Sequence, residues 1–276
     1  MADPLSADRF LAALLAEGVS VQEHPNWRTH TRTSATRPWG PVHGVIVHHT
    51  VSSGSANTVR ICRDGYSGLP GPLCQGVITK DGVFHLIGYG RCNHAGGGDP
   101  DVLAAVQNEN YGVRPPVPDV GNTDGIDGNA RFYGWECENL GDGKDPWTEA
   151  QLDTIERASA AICRAHGWSA KSVIGHLEWS DDKSDPRGFA MSWMRDQIDA
   201  RLGDAPNPPS EEDDMPTPAE IFAHQVDIPD GRKVAVADIL AWTDNRHNVT
   251  FKKLGELEAQ VAELTKAVAA LVAKES

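Results

Sequence analysis

Four residues, divided between two distant segments, have the types that a hydrolytic metal centre needs. His48 follows the apolar run at 45–47 in GVIVHHT, while His176, Lys183 and Asp185 lie in HLEWSDDKSDP. A catalytic zinc site uses three nitrogen or oxygen ligands and leaves the fourth position to water. Two imidazoles and a carboxylate fit that count, and the neighbouring ammonium could stabilise an oxyanion. The pattern indicates hydrolase chemistry, although either half alone is a weak signal because histidines at strand ends are usually ordinary polar residues.

The elements that must position these residues alternate between strand and helix. Buried strands are predicted at 45–48 and 172–175, the second of which delivers His176 to the end of a sheet, and a further strand is predicted at 132–138. Asp81-Gly82 predicts a hairpin between two further strands. This alternation favours an α/β fold in which helices cover a mixed central sheet. Ligands from the strand ends would then meet at one rim of the sheet.

Two helices have clear start and stop signals. Ser6 can cap a helix that presents Phe10 and Leu14 on one apolar face and stops at Gly18. The segment at 19–41 is expected to be irregular. A second helix starts at Thr148, where Gln151 is expected to complete a capping box, and ends at Gly167. The stretch at 108–129, rich in Gly, Pro, Asn and Asp, is interpreted as a loop that forms one wall of a substrate groove.

Five motifs together resemble a known family. They are GVIVHHT (44–50), GVITKDGVFHLIG (76–88), NHAGG (93–97), YGWECEN (133–139) and VIGHLEWSDDKSDPRG (173–188). In this order they resemble the type-2 N-acetylmuramoyl-L-alanine amidases, the zinc amidases of phage endolysins and bacterial autolysins. That family shares its fold with the peptidoglycan-recognition proteins. The resemblance covers roughly residues 40–202.

The resemblance implies a ligand set and an activity. His48, His176 and Asp185 match the residues that hold one zinc ion per chain in the family, and Lys183 matches its catalytic lysine. The implied reaction cleaves the amide between N-acetylmuramic acid and L-alanine in bacterial peptidoglycan, by means of zinc-activated water. Two other hypotheses remain open. The chain could be a non-catalytic peptidoglycan-binding protein on the same fold, or an oligomeric structural protein with a vestigial amidase domain.

The general base and the substrate contacts are also implied by the resemblance. Glu136 matches the glutamate that some members use as base, and Glu138 is the alternative, one alternation further along the same strand. Other members use a tyrosine at a position that is Cys74 here, so the chain departs from that pattern. His94 matches a substrate-contacting position, with a structural role in its loop as the alternative. His49 should point to the opposite face of the strand from His48 and act in the core or behind a ligand.

Four tryptophans are candidates for the wall of a sugar-peptide groove, although most large aromatic residues serve packing. They are Trp135, Trp147, Trp168 and Trp179.

Composition excludes some classes of partner. The chain has 276 residues with 25 basic and 39 acidic side chains, a formal charge of −14, which argues against a nucleic-acid partner. No apolar run approaches the roughly 20 residues of a membrane span, and MADPLSADRF lacks the features of a signal peptide. We expect synthesis in the host cytoplasm, no membrane partner, and action on the wall after release.

The five cysteines are odd in number and lack CxxC spacing, which favours buried reduced thiols. A disulfide between Cys62 and Cys92 is the alternative.

Four regions are predicted: a helix with an irregular extension (1–34), the zinc amidase domain (35–202), an acidic Pro-rich linker (203–217) and a small helical C-terminal module (218–276). In the module, helices are predicted from Thr217-Pro218 and at 234–242. Apolar residues from Leu254 to Leu271 form a short heptad seam typical of a coiled coil. We favour self-association into a homo-oligomer. A helix that folds back on its module, or a wall-binding role, remains open.

Overall fold

The buried apolar runs of the sequence become the central strands of a sheet in the computed structural model, which describes residues 2–204, 225–227 and 233–235. Residues 1–211 form one compact unit and 212–276 a second. The helices are α1 (Ala7–Ala16), α2 (Ser55–Asp64), α3 (Pro100–Gln107), α4 (Glu149–His166), α5 (His176–Trp179) and α6 (Met191–Gly203), with 3-10 turns at Gly128–Ala130 and Ala170–Ser172. The strands are β1 (Val21–Glu23), β2 (Gly44–His49), β3 (Gly65–Tyr66), β4 (Leu69–Pro70), β5 (Gly76–Ile78), β6 (Phe84–Leu86), β7 (Gly97–Gly98), β8 (Ile126–Asp127), β9 (Phe132–Cys137), β10 (Val173–Gly175), β11 (Gln225–Asp227) and β12 (Lys233–Ala235).

The central sheet has six strands in the order β1-β6-β5-β9-β2-β10. Strand β9 pairs parallel with β5 on one side and with β2 on the other, and β2 pairs parallel with β10. Strand β6 pairs antiparallel with β5. The sheet is therefore mixed, and the expected α/β class is confirmed. Because β2, β9 and β10 run in the same direction, the residues that follow them meet at one edge of the sheet.

Alternation along β2 assigns its side chains to the two covered faces of the sheet. Val45 and Val47 pack in the larger core, whose helical residues come from α1, α4 and α6. Ile46 packs on the other face, with residues of α3 and α5. Successive side chains of a strand point to opposite faces, so His48 lies on the face of Ile46 and His49 on the face of Val47. The side chains of His48 and His49 therefore lie on opposite faces of the sheet, as the sequence predicts.

The local signals of the sequence are confirmed. The side chain of Ser6 accepts from Arg9 N–H at the start of α1. Strands β5 and β6 pair antiparallel around Asp81-Gly82. Thr148 caps α4, and Gly167 ends it in the left-handed conformation at φ 71°. These features depend on contacts within a few residues, which is why the sequence reveals them.

Two expectations about the first unit are wrong. Gln151 does not complete a capping box: its amide nitrogen donates to the Glu138 carbonyl at 2.8 Å, so the side chain ties α4 to the sheet. The segment at 19–41 is not irregular throughout, because Val21–Glu23 forms β1, parallel to β6 at the edge of the sheet. A three-residue strand has too little periodicity to be recognised, and its hydrogen bonds come from a distant partner.

The second unit differs from the helical prediction at one described place. Lys233–Ala235 pairs antiparallel with Gln225–Asp227, so the helix expected from Val234 does not start there. The sequence between these strands contains Pro229-Asp230-Gly231, a turn signal between residues of alternating character. The linker beyond Asp204, the helix at Thr217-Pro218 and the heptad seam lie outside the described residues. Among the described helices, none is both long and apolar enough to cross a membrane.

Candidate metal centre and active site

His48 and His176 are brought together by the pairing of two parallel strands. His48 lies in β2, and His176 directly follows β10 as the first residue of α5. Gly175 is paired with Val47, so the next residue of each strand, His176 and His48, stands at the same level. Asp185 lies in the loop after α5. The backbone N–H of Leu177 donates to the Asp185 carbonyl at 2.7 Å, which fastens this loop to the start of α5.

The three residues predicted as metal ligands converge on one point. Nδ1 of His48 lies 3.0 Å from Nδ1 of His176, and Oδ2 of Asp185 lies 3.1 and 3.2 Å from these two atoms. In a tetrahedral zinc site with bonds of about 2.0–2.1 Å, neighbouring ligand atoms lie about 3.3–3.4 Å apart. Within the described residues this is the one cluster of three such groups that could hold a metal ion.

The charge state of the cluster also suits a cation. Burial lowers the pKa of His48 to about 4, so its ring is neutral at neutral pH. Burial opposes ionisation of Asp185, but hydrogen bonds with His176 and His48 outweigh it and hold the pKa of Asp185 well below its usual range. Nε2 of His176 lies 3.1 Å from the Ala95 carbonyl, which can only accept, so Nε2 donates to it. This contact directs Nδ1 of His176 toward the other two ligand atoms.

Glu136 lies opposite His48 on the neighbouring strand. It is paired with His48 across β9 and β2, and paired residues share one face of the sheet. Its side chain is largely enclosed by protein but keeps some contact with solvent. Burial, helped by the nearby Cys62 thiol and the Asp185 carboxylate, raises the pKa of Glu136 well above its ordinary value. A carboxyl group in this position and environment can exchange protons with a molecule held at the cluster.

Glu138, the alternative base, is occupied by structural contacts. Its side chain is buried, and Oε2 accepts from the Ser55 hydroxyl at 2.7 Å and from Lys80 N–H at 3.2 Å. These bonds connect the end of β9 to the start of α2 and to the hairpin. The contacts favour Glu136 over Glu138 as the base.

Lys183 lies on the loop that carries Asp185. Its ammonium is 3.8 Å from the neighbouring Asp182 carboxylate, and 30 % of the side chain is exposed. An exposed pair at this separation holds a lysine weakly. Its role in catalysis stays a prediction.

Of the other residues singled out in the sequence, His94 is placed behind His48. It is buried, and its Nδ1 lies 3.0 Å from Nε2 of His48. His49 on the opposite face accepts Arg187 N–H at 3.2 Å, which holds the loop two residues after Asp185. Trp135 and Trp179 are fully buried and serve packing. Trp147 and Trp168 are partly buried against the larger core.

The described cysteines are free and buried, as expected. Burial, helped by the neighbouring Cys62, raises the pKa of the Cys74 thiol well above its ordinary value.

Sequence reasoning missed the ion pair that supports His176. Both carboxylate oxygens of Glu178 accept from the guanidinium of Arg195, at 2.8 and 2.9 Å, and both side chains are buried. Glu178 also accepts the N–H of Gly175 at 3.1 Å. The pair therefore ties the turn before His176 to α6. Glu178 stands inside a recognised motif, but nothing in the sequence pairs it with Arg195.

Several solved structures are similar to this chain. The endolysin N-acetylmuramoyl-L-alanine amidase LysCS of Clostridium intestinale is 16% identical, with a TM-score of 0.40 over 67% of this chain and 97% of that chain. AmpDh3 of Pseudomonas aeruginosa, in complex with an anhydromuramic pentapeptide, is 16% identical, with a TM-score of 0.42 over 60% and 63%. Drosophila PGRP-LB, in complex with tracheal cytotoxin, is 12% identical, with a TM-score of 0.38 over 63% and 92%.

Comparison at the level of sequence gives a clearer result. No curated protein matches the chain. The family described as N-acetylmuramoyl-L-alanine amidase (Amidase_2) matches residues 38–188, over half of the chain. This range contains the three converging ligand residues, Glu136 and Lys183. The chain therefore belongs to the N-acetylmuramoyl-L-alanine amidase family.

Proposed function

We propose that this protein is a zinc-dependent, endolysin-like amidase of bacterial peptidoglycan that cleaves the bond between N-acetylmuramic acid and L-alanine. The observation that carries the proposal is the convergence of Nδ1 of His48, Nδ1 of His176 and Oδ2 of Asp185 within 3.0–3.2 Å. Two imidazoles and a carboxylate are the donor set of a catalytic zinc site with three protein ligands.

The proposed role of each residue follows from the position of its side chain. His48, His176 and Asp185 would hold one zinc ion, which, when bound, polarises the scissile carbonyl and lowers the pKa of water to roughly 7. Glu136, opposite His48 on the same face of the sheet, takes a proton from the attacking water and returns one to the leaving amine of L-alanine. Lys183, on the Asp185 loop, stabilises the negative charge that develops on the carbonyl oxygen.

The test is the identity of the ends that the protein creates in purified peptidoglycan. Intact walls are digested with the wild type and the new ends are identified by mass spectrometry. We expect new L-alanine amino groups and uncut sugar chains. New reducing sugars or cleaved stem peptides would overturn the proposed bond specificity, and binding to the wall without any product would support the non-catalytic alternative.

A matched pair of variants shows whether the proposed centre performs the cleavage. Asp185→Ala removes a ligand and should abolish product formation. Asp181→Ala removes an exposed carboxylate from the same segment and should leave it unchanged. Equal activity of the two variants would contradict the ligand assignment.

A further inference from the structure

Both ring nitrogens of His94 face other groups of the protein. Its Nδ1 lies 3.0 Å from Nε2 of His48, and its Nε2 lies 3.3 Å from the Phe132 carbonyl. The ring meets that of His48 edge-on, with centroids 5.2 Å apart, and the residue is only 7% exposed. Both ring nitrogens are therefore engaged within the protein.

The Phe132 carbonyl fixes the direction of the hydrogen bonds. A carbonyl oxygen only accepts, so Nε2 of His94 carries its proton and Nδ1 of a neutral His94 ring is an acceptor. Nε2 of His48 must then be the donor. The single proton of the neutral His48 ring is thereby kept on Nε2, and Nδ1 is left unprotonated toward His176 and Asp185.

The other tautomer of His48 would work against metal binding. A proton on Nδ1 of His48 would donate to Oδ2 of Asp185, which is only 3.1 Å away, and would satisfy that carboxylate without any ion. The metal would have to displace this proton. An acceptor behind Nε2 removes the competition, which is the usual role of the groups that orient metal-ligating histidines.

The strand beneath His94 leaves room for its ring. A Cβ atom built on Gly134 would lie 2.4 Å from Nδ1 of His94, closer than any real contact. Gly134 lies on β9 between Phe132 and Glu136, and its backbone lacks the positive φ that would by itself require glycine. The space that this glycine leaves is occupied by the imidazole that faces His48.

We infer that His94 is a positioning residue that selects the metal-binding tautomer of His48 through the chain Phe132 carbonyl, His94, His48. This inference rests on the proposed zinc site, and it gives His94 a role different from the substrate contact suggested by the resemblance. His94 acts by holding the acceptor Nδ1 against Nε2–H of His48. It neither binds the metal nor touches the substrate.

The experiment measures the dissociation constant of Zn²⁺ for the full-length protein by competition with a chromophoric chelator. His94→Phe, which removes the acceptor, should weaken zinc binding about 10- to 100-fold, the usual cost of losing such a partner. His94→Gln, whose amide can accept from His48 and donate to Phe132, should retain most of the affinity. The matched control is His43→Phe, because His43 is also buried with a single side-chain partner, Gln107 at 3.0 Å, but is remote from the ligands.

A second pair of variants leaves His94 itself intact. Gly134→Ala should displace the ring and weaken zinc binding as His94→Phe does. Gly203→Ala meets open space and should change nothing. The visible spectrum of the Co²⁺-loaded forms gives a readout of ligand geometry that a merely structural role would not alter.

The outcomes separate the inference from the proposed function. If wild type binds one zinc and His94→Phe binds it equally well with a raised KM, His94 is a substrate contact and the inference is overturned, while the proposed function stands. If His94→Gln and His94→Phe lose affinity equally, hydrogen bonding is not the cause and the inference also falls. If the wild type binds no zinc, the proposed function itself fails.

Discussion

The buried pair of Glu178 and Arg195 allows a prediction of stability at the metal centre. Arg195→Met keeps an unbranched apolar stem but removes the guanidinium, which leaves the Glu178 carboxylate, 8% exposed, with the Gly175 N–H as its described partner. Breaking a buried pair by removing one partner costs about 3–5 kcal/mol, because the remaining charge is uncompensated. We expect the free energy of unfolding to fall by about that amount.

The same helix supplies the control. Arg201 pairs with Asp153 and Glu156, but its side chain is 27% exposed and that of Asp153 is 43% exposed. Partly exposed pairs contribute up to about 1 kcal/mol, so Arg201→Met should cost far less. Urea denaturation of the metal-free proteins measures both. The double variant Glu178→Leu/Arg195→Met, which removes both charges, should recover part of the loss. A loss below about 1 kcal/mol for Arg195→Met would refute the reasoning.

The remaining predictions concern turnover and assembly. Lys183→Ala should retain zinc and lose about 100- to 1000-fold in kcat, the scale of one oxyanion donor, whereas full turnover would make Lys183 a solvated charge. Glu136→Gln should also retain zinc and lose about 100-fold or more in kcat. Glu138→Gln should instead lower thermal stability, and if it were the inactive variant the base would have to be reassigned. The full chain should be an oligomer by light scattering and Leu264→Glu a monomer; a monomeric wild type at micromolar concentration contradicts the coiled-coil prediction.

The sequence reveals those parts of the fold that depend on neighbouring residues. The cap at Thr148, the stop at Gly167 and the turn at Asp81-Gly82 each involve a short stretch of chain, and each is confirmed. The same holds for the face of the sheet that carries His48, because alternation within one strand determines it. The order of the family-like motifs identified His176 and Asp185 as ligands, because no local pattern connects them to His48.

What the sequence could not show depends on long-range pairing. His94 and His48 are 46 residues apart in the sequence. Their rings meet only because the loop at 93–97 folds against β2. Arg195 meets Glu178 because α6 packs beside β10, a contact without any signal in either segment. Strand β1 is recognised only through β6, and the strand at Lys233–Ala235 only through Gln225–Asp227. In each case the partner residue, rather than local preference, decides the structure.

We expect peptidoglycan cleavage to depend on one zinc ion held by His48, His176 and Asp185. The most direct measurement strips the protein of metal, titrates it with Zn²⁺, and follows the release of L-alanine amino groups from peptidoglycan at each addition. We predict negligible release by the stripped protein and a rise that reaches its plateau at one zinc per chain, absent in Asp185→Ala. Cleavage by the stripped protein at the full rate, or a rate independent of added zinc, would show that the reaction does not depend on this metal.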